Sequence, residues 1–311
     1  MFVVCGESLF DVFAAGDTAT GMALDARVGG SPFNVAVGLA RMAQPVCLLT
    51  QISRGFMGER LMTALQTEGV NTATVQRSDA PTTLSLIGLD ARGVPSYSFY
   101  GEGCADRLLT LDALDLLPPG VRAINFGSYA TVTGETAATQ RALVEREHTR
   151  TLIAYDPNIR LNVEPDLAVW REQIQWMLPR THLLKVSDED LELVHPGMPL
   201  QAFAAEALAQ GVAWVVVTRG SKGAVAWTAS GQVEAQPVPV DVIDTVGAGD
   251  TFQAALLTWL AENDGLSAQA LAAFPLDALR RALGFAAQAA AITCSRRGAD
   301  LPRRAELPQT R

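Results

Sequence analysis

The residues Asp244-Thr245-Val246-Gly247-Ala248-Gly249-Asp250-Thr251-Phe252 are the stretch of this sequence richest in chemistry. Two glycines bracket one alanine directly ahead of a helix-like run. The N–H groups at a helix start have no partner inside the helix and, with the macrodipole, form an anion site. Gly247 and Gly249 allow positive φ and let the backbone approach a ligand. A carboxylate at Asp250 would repel a resting phosphate, yet the cradle's positive end is expected to keep it ionised at neutral pH. That combination suits removal of a proton from a hydroxyl that attacks phosphorus. Phosphoryl transfer needs positioning, charge stabilisation and a base near the nucleophile. A dinucleotide fingerprint would have glycine where Phe252 stands, and a Walker A loop would need Gly-Lys-Ser/Thr. The plain alternative is a Gly-rich helix start capped by Asp.

The elements that must hold this loop read as an alternation. Short, almost wholly apolar runs at 2–5, 46–49, 123–126, 152–156, 183–186 and 214–218 predict strands covered on both faces. Between and after them, 34–42, 134–148, 250–260 and 276–291 predict helices, the second opening after Thr133 as N-cap. Strand–helix alternation implies right-handed crossovers and a mostly parallel sheet with helices on both sides. Two regions break the pattern. Residues 8–28 lack a helical period, and 82–89 and 97–100 alternate β-branched, aromatic and polar residues around a turn at 90–94. These predict a small separate sheet acting as a lid. The tail 302–311 reads as loose.

The chain has 311 residues, 49% hydrophobic, with a formal net charge of -9. It can bury a real core, and disorder over most of its length is excluded. No dense basic stretch offers a nucleic-acid footprint, and no segment is long and apolar enough to span a bilayer. The apolar start is followed at once by Glu7 and Asp11, so it reads as a first buried strand and not as a signal peptide. Cys5, Cys47, Cys104 and Cys294 are scattered without a CxxC pair, which points to buried reduced thiols and a cytoplasmic setting. His148, His182 and His195 have no metal-ligand spacing and receive no catalytic role.

Asp244–Phe252 resembles the C-terminal signature of the PfkB, or ribokinase-like, family of sugar kinases. Gly29-Gly30-Ser31-Pro32-Phe33-Asn34-Val35-Ala36 resembles its N-terminal Gly-Gly signature. The likeness covers nearly the whole chain. Within the family it is closest to bacterial fructokinases, through Gly6-Glu7-Ser8-Leu9-Phe10-Asp11 and Tyr100-Gly101-Glu102-Gly103-Cys104-Ala105-Asp106-Arg107. Tyr155-Asp156-Pro157-Asn158-Ile159-Arg160 is shared with fructokinases and 2-keto-3-deoxygluconate kinases. The resemblance implies one α/β domain over 1–311, a ribokinase-like three-layer sandwich with a mostly parallel central sheet. A small β-sheet lid would come from about 8–28 and 82–105, and a homodimer would form through the lids.

It also implies roles. Asp250 is the base, and Gly247, Ala248 and Gly249 give N–H groups to the charge that develops in transfer. Asp11, Gly30 and Asn34 fall on the sugar; the bland alternatives are a turn residue for Asp11 and a helix N-cap for Asn34. Arg160 follows a strand end, where α/β sheets hold ligands, and Arg107 has a similar claim at the end of the lid. Thr218-Arg219-Gly220-Ser221-Lys222-Gly223 resembles the nucleotide loop, with Thr218, Gly220 and Gly223 near ATP, and is equally a hairpin turn before 224–228. Lys185 and Ser187 fall on the nucleotide. Ser187 and Asp190 stand where the family shows Asn-x-x-Glu, ordering Mg2+ through water; an acidic helix start is the alternative. Some relatives imply a potassium-like site from Asp244, Val246, Thr293, Arg296 and Gly298. The expected activity is transfer of the γ-phosphate of ATP to fructose. The alternatives are the same chemistry on 2-keto-3-deoxygluconate and a non-catalytic sugar or nucleotide sensor.

Overall fold

The computed structural model describes residues 1–89 and 95–310, so the turn expected at 90–94 lies outside the described residues. The strands are β1 (Phe2–Cys5), β2 (Leu9–Thr18), β3 (Gly21–Gly29), β4 (Val46–Ser53), β5 (Val75–Ser78), β6 (Leu84–Leu89), β7 (Pro95–Tyr100), β8 (Ala123–Gly127), β9 (Leu152–Asp156), β10 (Leu183–Ser187), β11 (Trp214–Thr218), β12 (Ala224–Thr228) and β13 (Gly231–Ala235). The helices are α1 (Ser31–Arg41), α2 (Phe56–Thr67), α3 (Gly134–Glu147), α4 (Leu167–Met177), α5 (Asp188–Val194), α6 (Leu200–Ala209), α7 (Ala248–Glu262), α8 (Ala268–Ala273) and α9 (Leu276–Cys294).

Nine strands form one sheet in the order β13-β12-β11-β10-β9-β8-β1-β4-β5, parallel except where β12 runs against both neighbours. The apolar runs are continuous because each strand feeds two cores. Phe2 and Val4 of β1 face one core, and Val3 and Cys5 face the other. Leu152 and Ala154 likewise oppose Ile153 and Tyr155 in β9, and Trp214 and Val216 oppose Val215 and Val217 in β11. Helices α1, α2, α7 and α9 cover the first face, while α3, α4, α5 and α6 cover the second. This is a three-layer sandwich.

A second, four-stranded sheet has the order β3-β2-β6-β7, with β2 and β6 parallel and the other pairs antiparallel. The chain leaves it after Tyr100. The Ala105 N–H already donates to Pro81 O at 2.9 Å, and Ala105–Arg107 form a short 3-10 turn against the body. All four cysteines are free; Cys294 is half-buried and the other three are buried.

Several boundaries and caps differ from expectation. The first helix opens at Ser31, since Pro32 fits a first turn where its missing N–H is no loss. Asn34 therefore lies inside α1 and is no cap. Thr133 does precede α3, but its hydroxyl donates to Tyr129 O at 3.0 Å and caps nothing. The tail is packed and not loose. Pro302, Leu307 and Thr310 are buried, and Arg304 pairs with Glu262 of α7 at 2.6 Å. No helix among the described residues is long and apolar enough to cross a membrane.

Candidate active site

The chain reverses direction across the main sheet at β1, which has β4 on one side and β8 on the other. Crevices outside strand C-termini at such a point are the usual ligand sites of parallel sheets. A cleft of about 540 Å³ lies there, with Glu7 and Ser128, which follow β1 and β8, and with Asp11, Gly30, Asn158, Arg160, Lys185 and Asp250 in its wall.

Helix α7 starts at this cleft. Gly247 is its N-cap at φ 78°, ψ 0°, the left-handed conformation that glycine adopts without strain. The Thr251 N–H and hydroxyl both donate to Gly247 O at 2.8 Å, which closes the first turn. The Ala248 N–H donates to Thr245 O at 3.2 Å and is unavailable to a ligand. Among the described residues the N–H groups of Gly247 and Gly249 have no such partner. Both glycines line the cleft and Ala248 does not. The cradle is therefore Gly247 and Gly249, without Ala248.

Asp250 is buried in the first turn of α7. Its Oδ1 accepts from the Ser31 hydroxyl at 2.6 Å and its Oδ2 from Asn34 Nδ2 at 2.8 Å. Asn34 thus orients Asp250 with the amide group expected on a sugar. Ser31 is a functional neighbour that the sequence reading passed over. Burial is the largest influence on the Asp250 carboxyl and pushes its pKa up. The Ser31 and Asn34 hydrogen bonds and the fields of Lys185 and Arg160 only partly offset it. The cradle's field was expected to dominate, and desolvation outweighs it. A raised carboxyl is the stronger base.

Lys185, from β10, points its ammonium at this cradle: a Cβ added at Gly249 would lie 3.2 Å from Nζ. It pairs with Asp156 Oδ2 at 2.6 Å, with both side chains almost wholly buried. Arg160 is exposed at the cleft wall, and its charge reaches Glu7, Asp11 and Asp250. Asp11 lines the same wall, its carboxyl raised chiefly by burial. Gly30, at φ 104°, packs so closely on Glu7 that a Cβ would stand 2.9 Å from Glu7 O.

Other expected residues stand apart. Arg107 does not reach the cleft wall; its guanidinium lies 5.3 Å and 5.5 Å from the rings of Phe99 and Tyr129, which do. The Ser187 hydroxyl accepts from the Asp190 N–H at 3.0 Å as the N-cap of α5. Asp190 Oδ1 accepts from the Ile159 N–H at 3.2 Å. Neither Ser187 nor Asp190 lines the cleft, and neither do Thr218, Gly220 or Gly223. The last two shape the antiparallel turn between β11 and β12. Asp244 accepts from the Val246 N–H at 3.1 Å and from the Gly298 N–H at 2.8 Å, which draws the loop before α7 onto the segment after α9. Thr293 shares a hydrogen bond with Thr251 at 2.8 Å, and the Arg296 side chain is turned away to Glu306.

The family model described as pfkB family carbohydrate kinase matches residues 2–305. The chain belongs to the pfkB family of carbohydrate kinases. It is therefore an enzyme that transfers phosphate to a sugar. A fructokinase of Rhizobium leguminosarum bv. trifolii is 33% identical over 280 residues, covering 90% of this chain and 86% of the relative. The crystal structure of a fructokinase with bound ATP from Xylella fastidiosa superposes with a TM-score of 0.85 at 23% identity, covering 96% of this chain and 93% of that one. An uncharacterized sugar kinase from Pyrococcus horikoshii in complex with ATP gives 0.80 at 25% identity, covering 99% and 97%. This pfkB kinase thus has the expected ribokinase-like sandwich with a smaller second sheet.

Proposed function

We propose that this chain phosphorylates fructose to fructose 6-phosphate with ATP, and that Asp250 is the general base. The observation that carries this reading is a buried carboxylate set between an anion cradle and a polar cleft. The sugar hydroxyl sits between Asp250 and the γ-phosphorus. Its proton passes to the Asp250 carboxylate as the oxygen bonds to phosphorus and ADP leaves. The Gly247 and Gly249 N–H groups and Lys185 meet the charge on the transferring oxygens. Asp11 and Gly30 hold the sugar.

Mg2+ would neutralise charge on the ATP phosphates. Among the described residues no group of three or more His, Cys, Asp or Glu could hold a metal. That fits an ion carried mainly by the nucleotide and reached from Asp190 through water. The segments joined by Asp244 offer carbonyl oxygens at Val246, Thr293, Arg296 and Gly298 with one carboxylate, a donor set suited to K+. The turn from Thr218 to Gly223 would border the ATP base. Cytoplasmic ATP fits this reading.

A second reading, 2-keto-3-deoxygluconate as acceptor, is favoured by Arg160, an exposed cation at the cleft wall. Asp11 opposes it, since a carboxylate there repels an acid sugar. The test is competition: equal fructose and 2-keto-3-deoxygluconate with limiting ATP, and identification of the phosphorylated product. Fructose 6-phosphate is expected to dominate. A dominant acid-sugar phosphate would overturn the fructose assignment and leave the kinase standing.

The smaller sheet is read as a lid that closes over the sugar and limits ATP hydrolysis, in one domain spanning the chain. Its β3 edge exposes Met22 and Leu24, 64% and 52% accessible. A long exposed apolar edge strand invites pairing with a second copy. Sedimentation should therefore give twice the chain mass, and Met22→Glu with Leu24→Glu should give a monomer. A monomeric wild type would remove the lid dimer.

A further inference from the structure

Two of the segments that join the smaller sheet to the body run side by side, and a buried carboxyl on one of them binds the other. Strand β6 leaves the body at Thr83, whose carbonyl accepts from the Phe10 N–H at 3.1 Å as β2 and β6 begin to pair. The returning chain passes beside it, where the Ala105 N–H meets Pro81 O. Asp106 follows at once and is 2% exposed. Its backbone belongs to the body. Asp106 O accepts from the Thr136 hydroxyl of α3 at 2.8 Å, and the same hydroxyl oxygen accepts from the Leu109 N–H at 3.0 Å. Its side chain reaches two ways: Oδ1 accepts from the Thr83 hydroxyl, and Oδ2 accepts from the Tyr129 hydroxyl at 2.7 Å. Thr83 and Tyr129 are buried as well.

Both ends of this bridge lead to the cleft. Tyr129 lies in the short turn after β8 and lines the cleft, and its ring meets Phe99 of β7 edge to face, 5.3 Å between centroids at 78°. Phe99 lines the cleft too, as do Ser85 and Ile87 of β6 just beyond Thr83. Thr83 and Asp106 themselves do not. We propose that Asp106 is a positioning residue for the sugar: its carboxyl clasps the root of β6 to Tyr129 and so sets where Ser85, Ile87 and Phe99 stand over the cleft. The proposal rests on reading the smaller sheet as a lid.

The two bonds act as one link. A buried carboxyl that loses either hydroxyl is left with an unmet acceptor, and a polar group so stranded is costly. Cutting the link at Thr83 frees the strand root without removing any group that lines the cleft. The cradle at Gly247 and Gly249 receives nothing from this region, so the loss falls on the sugar and not on ATP. If the well-placed form of the lid drops to about one tenth of the population, the apparent KM for sugar rises about tenfold. A lid that sits badly also admits water, so ATP hydrolysis without sugar phosphate increases.

The experiment measures KM for sugar and for ATP in the wild type, Thr83→Val, Asp106→Ala, Asp106→Asn and the double variant Thr83→Val with Asp106→Ala, using the sugar that the wild type turns over fastest. Thr83→Val and Asp106→Ala should each raise the sugar KM about tenfold and leave the ATP KM within about twofold. Asp106→Asn keeps one acceptor and gains a donor, and a hydroxyl can take either part, so it should recover most of that loss. The double variant should be no worse than Asp106→Ala, because both changes cut the same link. A folded Thr83→Val enzyme with the wild-type sugar KM, equal rises in both KM values, or effects that multiply in the double variant would overturn the proposal. If Asp106→Ala does not fold, Thr83→Val and Asp106→Asn decide. Hydrogen exchange over residues 9–29 tests the lid separately: saturating sugar should protect them in the wild type, and less so in Thr83→Val. No protection in the wild type would overturn the lid and the clasp with it. Protection in the wild type with an unchanged sugar KM in Thr83→Val would overturn the clasp alone.

Discussion

Asp250→Ala is expected to lower kcat about 10²–10⁴-fold, the range that a positioned general base contributes, while the KM for sugar changes only a few-fold. The buried carboxylate has two assigned donors, the Ser31 hydroxyl at 2.6 Å and Asn34 Nδ2 at 2.8 Å. Alanine leaves both without an acceptor and should cost stability of about 1–3 kcal/mol, so a thermal melt must accompany the kinetics. The wild type carries its own signature. Burial raises the Asp250 pKa from 3.8, so the base form is lost, as pH falls, earlier than for an exposed aspartate. The acid limb of kcat/KM should therefore lie above 3.8, and Asn34→Ala, which removes a hydrogen bond to the charged form, should move it higher. Turnover near the wild-type value in a folded Asp250→Ala enzyme would remove Asp250 from the role of base.

Lys185→Met is expected to destabilise the protein by about 3–5 kcal/mol, because removing one partner of a buried ion pair strands the other charge. Nζ and Asp156 Oδ2 are 2.6 Å apart, with side chains 5% and 6% exposed. Asp156 Oδ1 is already buried without a partner. The same ammonium stands beside Gly249, so kcat/KM for ATP should fall at least tenfold, about 1.4 kcal/mol. The double variant Lys185→Met with Asp156→Asn separates the two effects. It should regain most of the stability, since no lone charge remains, and none of the ATP affinity. Recovery of both would reduce Lys185 to a structural ion pair.

The strands were readable because a strand covered on both faces has no polar side to interrupt it. The runs at Phe2–Cys5, Leu152–Asp156 and Trp214–Thr218 match their strands end to end. Asp250 was readable because its glycines are local. Its partners were not. Ser31 is 219 residues away, and no local pattern says which hydroxyl will meet the carboxylate. The tail misled because Leu307 is an isolated apolar residue without a period, and only the surface it covers explains it. Arg107 misled because an arginine near a site reads as a ligand cation, whereas here it stacks behind two aromatic rings.

The bonds from Ser31 and Asn34 to Asp250 span 219 and 216 residues, and this separation governs when the site can first assemble. During synthesis the sugar side, β1 to α1, emerges first, and most of the sheet can assemble on it. The Asp250 carboxyl and the glycines beside it arrive only with α7, and the buried Leu301 and Leu307 later still. A nascent chain on the ribosome can therefore hold a nearly complete sheet and still lack the proposed base. Truncated products that stop before α7 would hold most of the sheet without Asp250 and are expected to draw nothing from the cell's nucleotide pool.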